Sequence, residues 1–177
     1  MVQLRIKDVE EAQLRAEIRK AKSLCTAFNC QLIVNDYWQI AIDEECDFVH
    51  LGQEDLDDAD VAAIRRAGIA LGVSTHDDTE LERGLGLDPE YIALGPVYPT
   101  KLKKMRWTEQ GLDRVTDWKR RVGSTPLVAI GGMTVERAAG AFAAGDDIIS
   151  AVTDITWNDD PEGRVQEWVA QTREVAS

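Results

Sequence analysis

No stretch of the 177 residues is apolar for long enough to cross a membrane, and no secretory leader is visible at the N-terminus. Neither a membrane anchor nor export is therefore expected. Basic charge is scarce: 20 Lys and Arg stand against 32 Asp and Glu, for a net charge of -12. Nucleic acids and anionic membranes are bound by basic surface, so neither is expected as a partner, and an anionic small molecule would need local basic sites. Cysteine is limited to Cys25, Cys30 and Cys46, an odd number without zinc-ligand spacing. The cytoplasm with reduced thiols is the expected setting, and all three are expected to be buried and inert. There are only two histidines, and no Ser-His or Cys-His nucleophile–base pair is legible. His50 lies within an apolar run and is expected to pack in the core; His76 could reach a ligand but has no evident partner in sequence. No low-complexity segment or Pro/Ser-rich linker interrupts the chain, so residues 1–177 are read as one domain.

What is present is a repeat of short aliphatic runs and helical patterns. Runs at 2–6, 31–34, 47–51, 69–73, 91–94, 127–130 and 148–152 predict seven strands. Helical periodicity fills 9–28, 57–67, 111–122 and 134–144, with shorter candidates at 37–45 and 77–86. A last helix over 160–175 begins at Asp160 followed by Pro161, a cap and then proline in the first turn. Strand then helix, repeated about every 25 residues, specifies an α/β protein with a parallel sheet. Polar or glycine-rich residues follow nearly every strand, as a closed (β/α)8 TIM barrel requires, whereas an open sheet gathers its site at one switch point. Seven units are present where a barrel has eight, so the first βα unit is expected to be missing.

Four stretches carry candidate chemistry. The run 91–94 stops at Gly95 and Pro96, and the loop beyond it holds Thr100, Lys101, Lys103 and Lys104, a seat for phosphate or else a solvated loop. Asp36 and Asp55 follow the second and third strands, which should be neighbours about 4.8 Å apart. Two carboxylates side by side repel unless a cation lies between them, which points to Mg2+; each could equally cap a helix. Asn35 adds an amide. In the run from Gln3 through Leu4, Arg5 and Ile6 to Lys7, the period of two puts Gln3, Arg5 and Lys7 on one strand face, suited to a phosphate or pyrophosphate, or to water at an edge strand. Gly131 and Gly132 sit between a buried strand and a helix start, where barrels commonly hold a phosphate, though two glycines before a helix also arise wherever packing is tight. Trp38, Trp118, Trp157 and Trp168 are expected to pack in the core or between helices, and Trp107 to anchor its loop rather than cap a bound ring.

Assembled in order, the motifs QLRIK, NDYW, HLGQED, LGVSTH, YIALGPVYPT, VAIGG and AVTDI resemble the thiamine-phosphate synthase family along the whole chain. The resemblance implies a (β/α)8 transferase of thiamine biosynthesis. Such an enzyme joins 4-amino-2-methyl-5-hydroxymethylpyrimidine diphosphate to a thiazole phosphate, with Mg2+, and releases pyrophosphate. It implies that Gln3, Leu4, Arg5, Ile6, Lys7, Asn35, Ser74 and Lys103 hold the pyrimidine diphosphate, with Arg5, Lys7 and Lys103 stabilising the departing charge. Asp36 and Asp55 would bind the metal. Thr100, Lys101, Leu102, Gly132, Val152 and Thr153 would surround the thiazole phosphate. Leu102 stands where the family usually has threonine, and Thr153 where it usually has serine. Two other readings are a truncated remnant or thiamine-phosphate binder, and a thiazole tautomerase, which Pro96 in place of that group's histidine disfavours.

Overall fold

Aliphatic runs too short for helices, with both faces destined for burial, become the strands of a parallel sheet. In the computed structural model, which describes residues 1–100 and 107–175, the chain forms two compact units. The first comprises Met1–Ser74 with Gly86–Glu90, and the second Thr75–Leu85 with Tyr91–Ser177.

In the first unit β1 (Val2–Leu4), β2 (Leu32–Asn35), β3 (Phe48–Leu51) and β4 (Ala70–Thr75, its last residue counted with the second unit) pair in parallel in chain order. The crossovers carry α1 (Glu11–Ala27), α2 (Trp38–Asp43), α3 (Gln53–Asp58) and α4 (Val61–Arg66). β2 is buried along its whole length, and Leu14 and Ile18, one turn apart on α1, are among the core residues of this unit. The second unit holds α5 (Asp78–Leu85), β5 (Tyr91–Leu94), α6 (Gly111–Val122), β6 (Leu127–Ile130), α7 (Val135–Ala144), β7 (Ile148–Ser150), α8 (Thr153–Thr156) and α9 (Pro161–Val175). Here β5, β6 and β7 pair in parallel, again in chain order. The buried face of α6 is set by Val115, Trp118 and Val122, at helical spacing.

All seven expected strands are present, and the differences are local. β1 ends at Leu4, so Arg5, Ile6 and Lys7 lie beyond the ladder and the alternation expected for Gln3, Arg5 and Lys7 does not continue past the strand. Period two holds only while the backbone stays extended; Asp8 takes a left-handed conformation (φ 58°), and the Lys7 ammonium turns to Asp36. The helix expected over 57–67 is two helices. Asp60 separates them by leaving the helical conformation and accepting the Ala63 N–H on its carboxylate at 2.8 Å. At the start of α9, Asp160 accepts the Gly163 N–H at 3.0 Å, as its position before Pro161 predicts. Trp118 and Trp168 are buried, but Trp157, at the end of the single-turn α8, is 62% exposed and not a packing residue. Cys46 is buried, whereas Cys25 and Cys30 are only partly so, because α1 ends beside them in a turn open to solvent on one side.

Asp146, between α7 and β7, is 4% exposed, and neither carboxylate oxygen has a hydrogen-bond partner among the described residues. Burial, reinforced by the charge of Asp147 and only partly offset by Lys119, pushes its pKa up to about 7. The folded value lies above the unfolded one, so between pH 4 and 7 the folded state binds more protons and stability falls as pH rises. The loss is complete above pH 7. Asp146→Asn should abolish this slope and make the protein more stable at pH 8, by on the order of a few kcal/mol. Thermal melts of both proteins from pH 4 to 8 check it, and parallel pH profiles would count against it.

Candidate active site

The first unit gathers its polar residues just past the ends of β1, β2, β3 and β4. β2 ends in Asn35, which is buried, and Asp36 then turns the chain with φ 70° while its N–H donates to the His50 carbonyl at 2.9 Å. That turn points the Asp36 carboxylate at two partners. One is Lys7, whose ammonium donates to Oδ2 and lies 5.8 Å from the centre of the Tyr37 ring. The other is Asp55, in the first turn of α3, whose carboxylate lies beside that of Asp36 and accepts the Gly52 N–H at 3.1 Å. Burial, then the neighbouring Asp36 charge, raise the pKa of Asp55. Both readings of Asp55 are thus present in one side chain: it caps α3 and it shares a site with a second carboxylate. The chemistry of the donor set fits a small hard cation held by one or two carboxylates and completed by water and phosphate oxygens. Among the described residues no group of three or more His, Cys, Asp or Glu forms a full metal cage.

Ser74 is fixed from two sides. Its hydroxyl is 2.7 Å from His50 Nε2, and its carbonyl accepts from Gln53 Nε2 at 2.7 Å. Burial pushes the His50 imidazole down to about 4, so it is neutral at physiological pH and acts on Ser74 as a hydrogen-bonding group. His50 is the packed core histidine that its position within a strand predicts. Gln3, Leu4 and Ile6 are partly buried, while Arg5 and Lys7 are exposed.

In the second unit the segment after β5 is laid along the end of β6: Val97 N–H donates to the Ile130 carbonyl at 2.9 Å and Tyr98 N–H to Gly131 at 3.0 Å. This close approach explains the two glycines. Gly131 and Gly132 have φ of 88° and 66°, and a Cβ on Gly132 would lie 2.5 Å from the Pro99 carbonyl oxygen. The Arg137 guanidinium donates to the Gly132 carbonyl and sits 4.5 Å from the centre of the Tyr98 ring. Thr100 is partly buried. Lys101, Leu102, Lys103 and Lys104 lie outside the described residues. Trp107 stacks on His76 with ring centres 5.7 Å apart, and Gln110 donates to the His76 carbonyl at 3.0 Å, so the expected loop anchor is built on that histidine. His76 does have a partner: Glu80 accepts both its N–H and its Nδ1–H, at 2.8 and 2.7 Å. The spacing of four residues at a helix start could have flagged it. Val152 and Thr153 open α8, past the end of β7.

The model of the thiamine monophosphate synthase family matches residues 1–155. The chain belongs to this family. The thiamine-phosphate synthase of Rhizobium etli is 62% identical over 172 residues, covering 97% of this chain and 84% of the relative. That of Cronobacter sakazakii is 46% identical over 165 residues, covering 93% of this chain and 79% of its own length. Among solved structures, thiamine phosphate pyrophosphorylase from Pyrococcus furiosus superposes with a TM-score of 0.88 over 99% of this chain and 83% of that one, at 23% identity. A 3-hexulose-6-phosphate synthase from Salmonella typhimurium reaches 0.70 at 14% identity, over 91% of this chain and 81% of that one. These likenesses show the fold: an α/β chain of the (β/α)8-barrel class with seven strand–helix units. The expectation of a transferase of the thiamine-phosphate synthase family stands over the tautomerase and remnant readings. Among the described residues no helix is long and apolar enough to cross a membrane.

Proposed function

We propose that the chain joins 4-amino-2-methyl-5-hydroxymethylpyrimidine diphosphate to a thiazole phosphate, using Mg2+ and releasing pyrophosphate. The observation that carries this reading is the Asp36–Asp55 pair with Lys7 upon it. Two carboxylates in contact, one with a raised pKa, form a site that a divalent cation relieves; in the free protein Lys7 supplies part of that charge. When bound, Mg2+ would neutralise charge on the diphosphate and on the pyrophosphate that leaves.

The protein groups have separate tasks in this scheme. Gln3, Leu4, Arg5, Ile6 and Lys7, with Asn35 and Ser74, receive the pyrimidine diphosphate, and Asp36 and Asp55 hold the metal. Arg5, Lys7 and Lys103 stabilise the negative charge that grows as the carbon–oxygen bond to pyrophosphate breaks. Electron density from the aminopyrimidine supports the carbon left behind, and the thiazole nitrogen then donates its pair to form the new carbon–nitrogen bond. No proton has to be removed from the nucleophile. That agrees with a site whose buried histidine is neutral and hydrogen-bonded to a serine that positions substrate. Thr100, Lys101, Leu102, Gly132, Val152 and Thr153 receive the thiazole phosphate, with Gly132 packed so closely against Tyr98 and Pro99 that no side chain fits there. The domain over 1–177 works as one catalytic unit in this reading, in the cytoplasm.

The deciding test is pyrophosphate release from the two substrates by the purified chain, with Mg2+ and with a chelator. Metal-dependent release that needs both substrates is expected. Binding of thiamine phosphate without turnover, or release of pyrophosphate independent of the thiazole, would refute the proposal.

A further inference from the structure

Past Ile130 and Ser150, the last paired residues of β6 and β7, the strand register ends and two separate segments begin. One runs through Gly131 and Gly132 to Glu136 in the first turn of α7, and the other through Val152 and Thr153 to Asp154. A third element meets both. Arg164 of α9 donates to Asp154 in a side-on fork, Nε to Oδ2 at 2.9 Å and Nη2 to Oδ1 at 3.0 Å. The same Nη2 reaches Glu136 Oε1 and Oε2 at 2.9 and 3.0 Å. Its Nη1 donates to Glu167 at 2.6 Å, within the same helix.

We propose that Arg164 is a positioning residue for the thiazole phosphate, a role that rests on the functional reading above: it clamps the Gly132 segment and the Thr153 segment at a fixed separation, so that both reach one phosphate. Burial gives the clamp its stiffness. The Arg164 and Asp154 side chains are only 14% and 10% exposed, and the Trp168 indole N–H donates at 2.8 Å to Asp154 Oδ2, the oxygen that also accepts Arg164 Nε, so that atom is held by two donors. Glu136 is different, since its side chain is 69% exposed. An ion pair so exposed adds little to stability, and its consequence here is geometric: it ties the first turn of α7 to a guanidinium already fixed on Asp154. Glu136 is itself oriented by the Thr134 hydroxyl and by its own backbone N–H, and these with Arg164 hold its pKa down to about 2, so the tie persists across the working pH range. Arg137 completes the arrangement on the α7 side by taking the Gly132 carbonyl. Planarity and multiple fixed donors suit arginine to this junction; a lysine would reach one carboxylate well and the other poorly.

The test is steady-state kinetics of wild type, Arg164→Met, Arg164→Lys, Glu136→Gln and Glu167→Gln, varying each substrate at saturation of the other. Misplacing a binding group through its support costs roughly 10- to 100-fold, so Arg164→Met should raise the KM for thiazole phosphate by that factor and that for the pyrimidine diphosphate by less than about twofold. Glu136→Gln should shift the same constant in the same direction by less. Arg164→Lys should recover part of the loss, and Glu167→Gln should change neither constant, because it removes a contact inside α9 only. Equal shifts in both KM values, or an unchanged thiazole KM in Arg164→Met and Glu136→Gln, would overturn the clamp. Should Arg164→Met fail to fold, Glu136→Gln decides, since it alters an exposed side chain. Absence of turnover by wild type would instead defeat the functional reading. Calorimetric titration of thiazole phosphate into wild type and Glu136→Gln then judges the clamp, with weaker binding by the variant supporting it and equal binding overturning it.

Discussion

Asp55→Ala is expected to lower Mg2+-dependent pyrophosphate release by about 1,000-fold or more, with the protein still folded. The activity loss follows from the proposed metal site. Asp36 would keep only a single carboxylate toward the cation, and Lys7, already bonded to Asp36, would then neutralise what is left. The stability change is small because two effects oppose. Removing the carboxylate loses its bond to the Gly52 N–H, a cap worth about 1 kcal/mol. It also frees Asp36 from a like-charged neighbour, which offsets part of that cost. The checks are pyrophosphate release across a Mg2+ titration and a thermal melt. Asp55→Asn makes the comparison sharper, since the amide retains an oxygen for the Gly52 N–H and gives up the charge. Turnover in Asp55→Ala within tenfold of wild type would remove Asp55 from the metal site, and a collapse of the melt would show that its part is mainly to cap α3.

The second large effect is expected at Gly132. A left-handed conformation costs an L-residue about 1–2 kcal/mol, and Gly132 has φ 66°. An added Cβ would also lie 2.5 Å from the Pro99 carbonyl and 2.8 Å from the Tyr98 carbonyl and Cβ, and backbone atoms have little room to give. Such overpacking costs a further 1–3 kcal/mol or so. Gly132→Ala should therefore lower the melting temperature by roughly 5–15 °C for a chain of this size. It should also weaken thiazole phosphate more than pyrimidine diphosphate, because the residues displaced lead directly to Thr100. A melt within about 2 °C of wild type would mean that the turn relaxes without strain. An intact thiazole KM in a folded variant would mean that the Gly132 backbone does not meet the phosphate.

The sequence carried the strands because each is a burst of β-branched and aliphatic residues meant for burial on both faces. Leu32, Ile33 and Val34 could satisfy no other environment. It carried the alternation with helices, and so the parallel α/β class, and through the ordered motifs it carried the family. Asp36 and Asp55 were legible as a pair, since neighbouring parallel strands must deliver the residues at their carboxyl ends side by side. Local backbone decisions were less legible. The period of two runs through Arg5 and Lys7 in the sequence, but the strand ends at Leu4, where the pull of Asp36 on Lys7 and the left-handed Asp8 take the chain out of the ladder. The break at Asp60 depended on one side-chain cap winning over helix continuation.

Other features exist only once distant segments meet. The His50–Ser74 bond, the stacking of Trp107 on His76, and the fork of Arg164 on Asp154 and Glu136 join residues 24, 31, 10 and 28 positions apart, and no periodicity records such pairs. The unpartnered Asp146 carboxylate is likewise a product of packing, because an aspartate beside a glycine turn reads as exposed until the chain closes over it. Where the strands run and which apolar faces of the helices are buried was set by local composition and period. Which polar groups find each other, and which are left without a partner, was decided by tertiary structure, because hydrogen bonds and charge depend on distances of a few ångströms that only the folded backbone fixes.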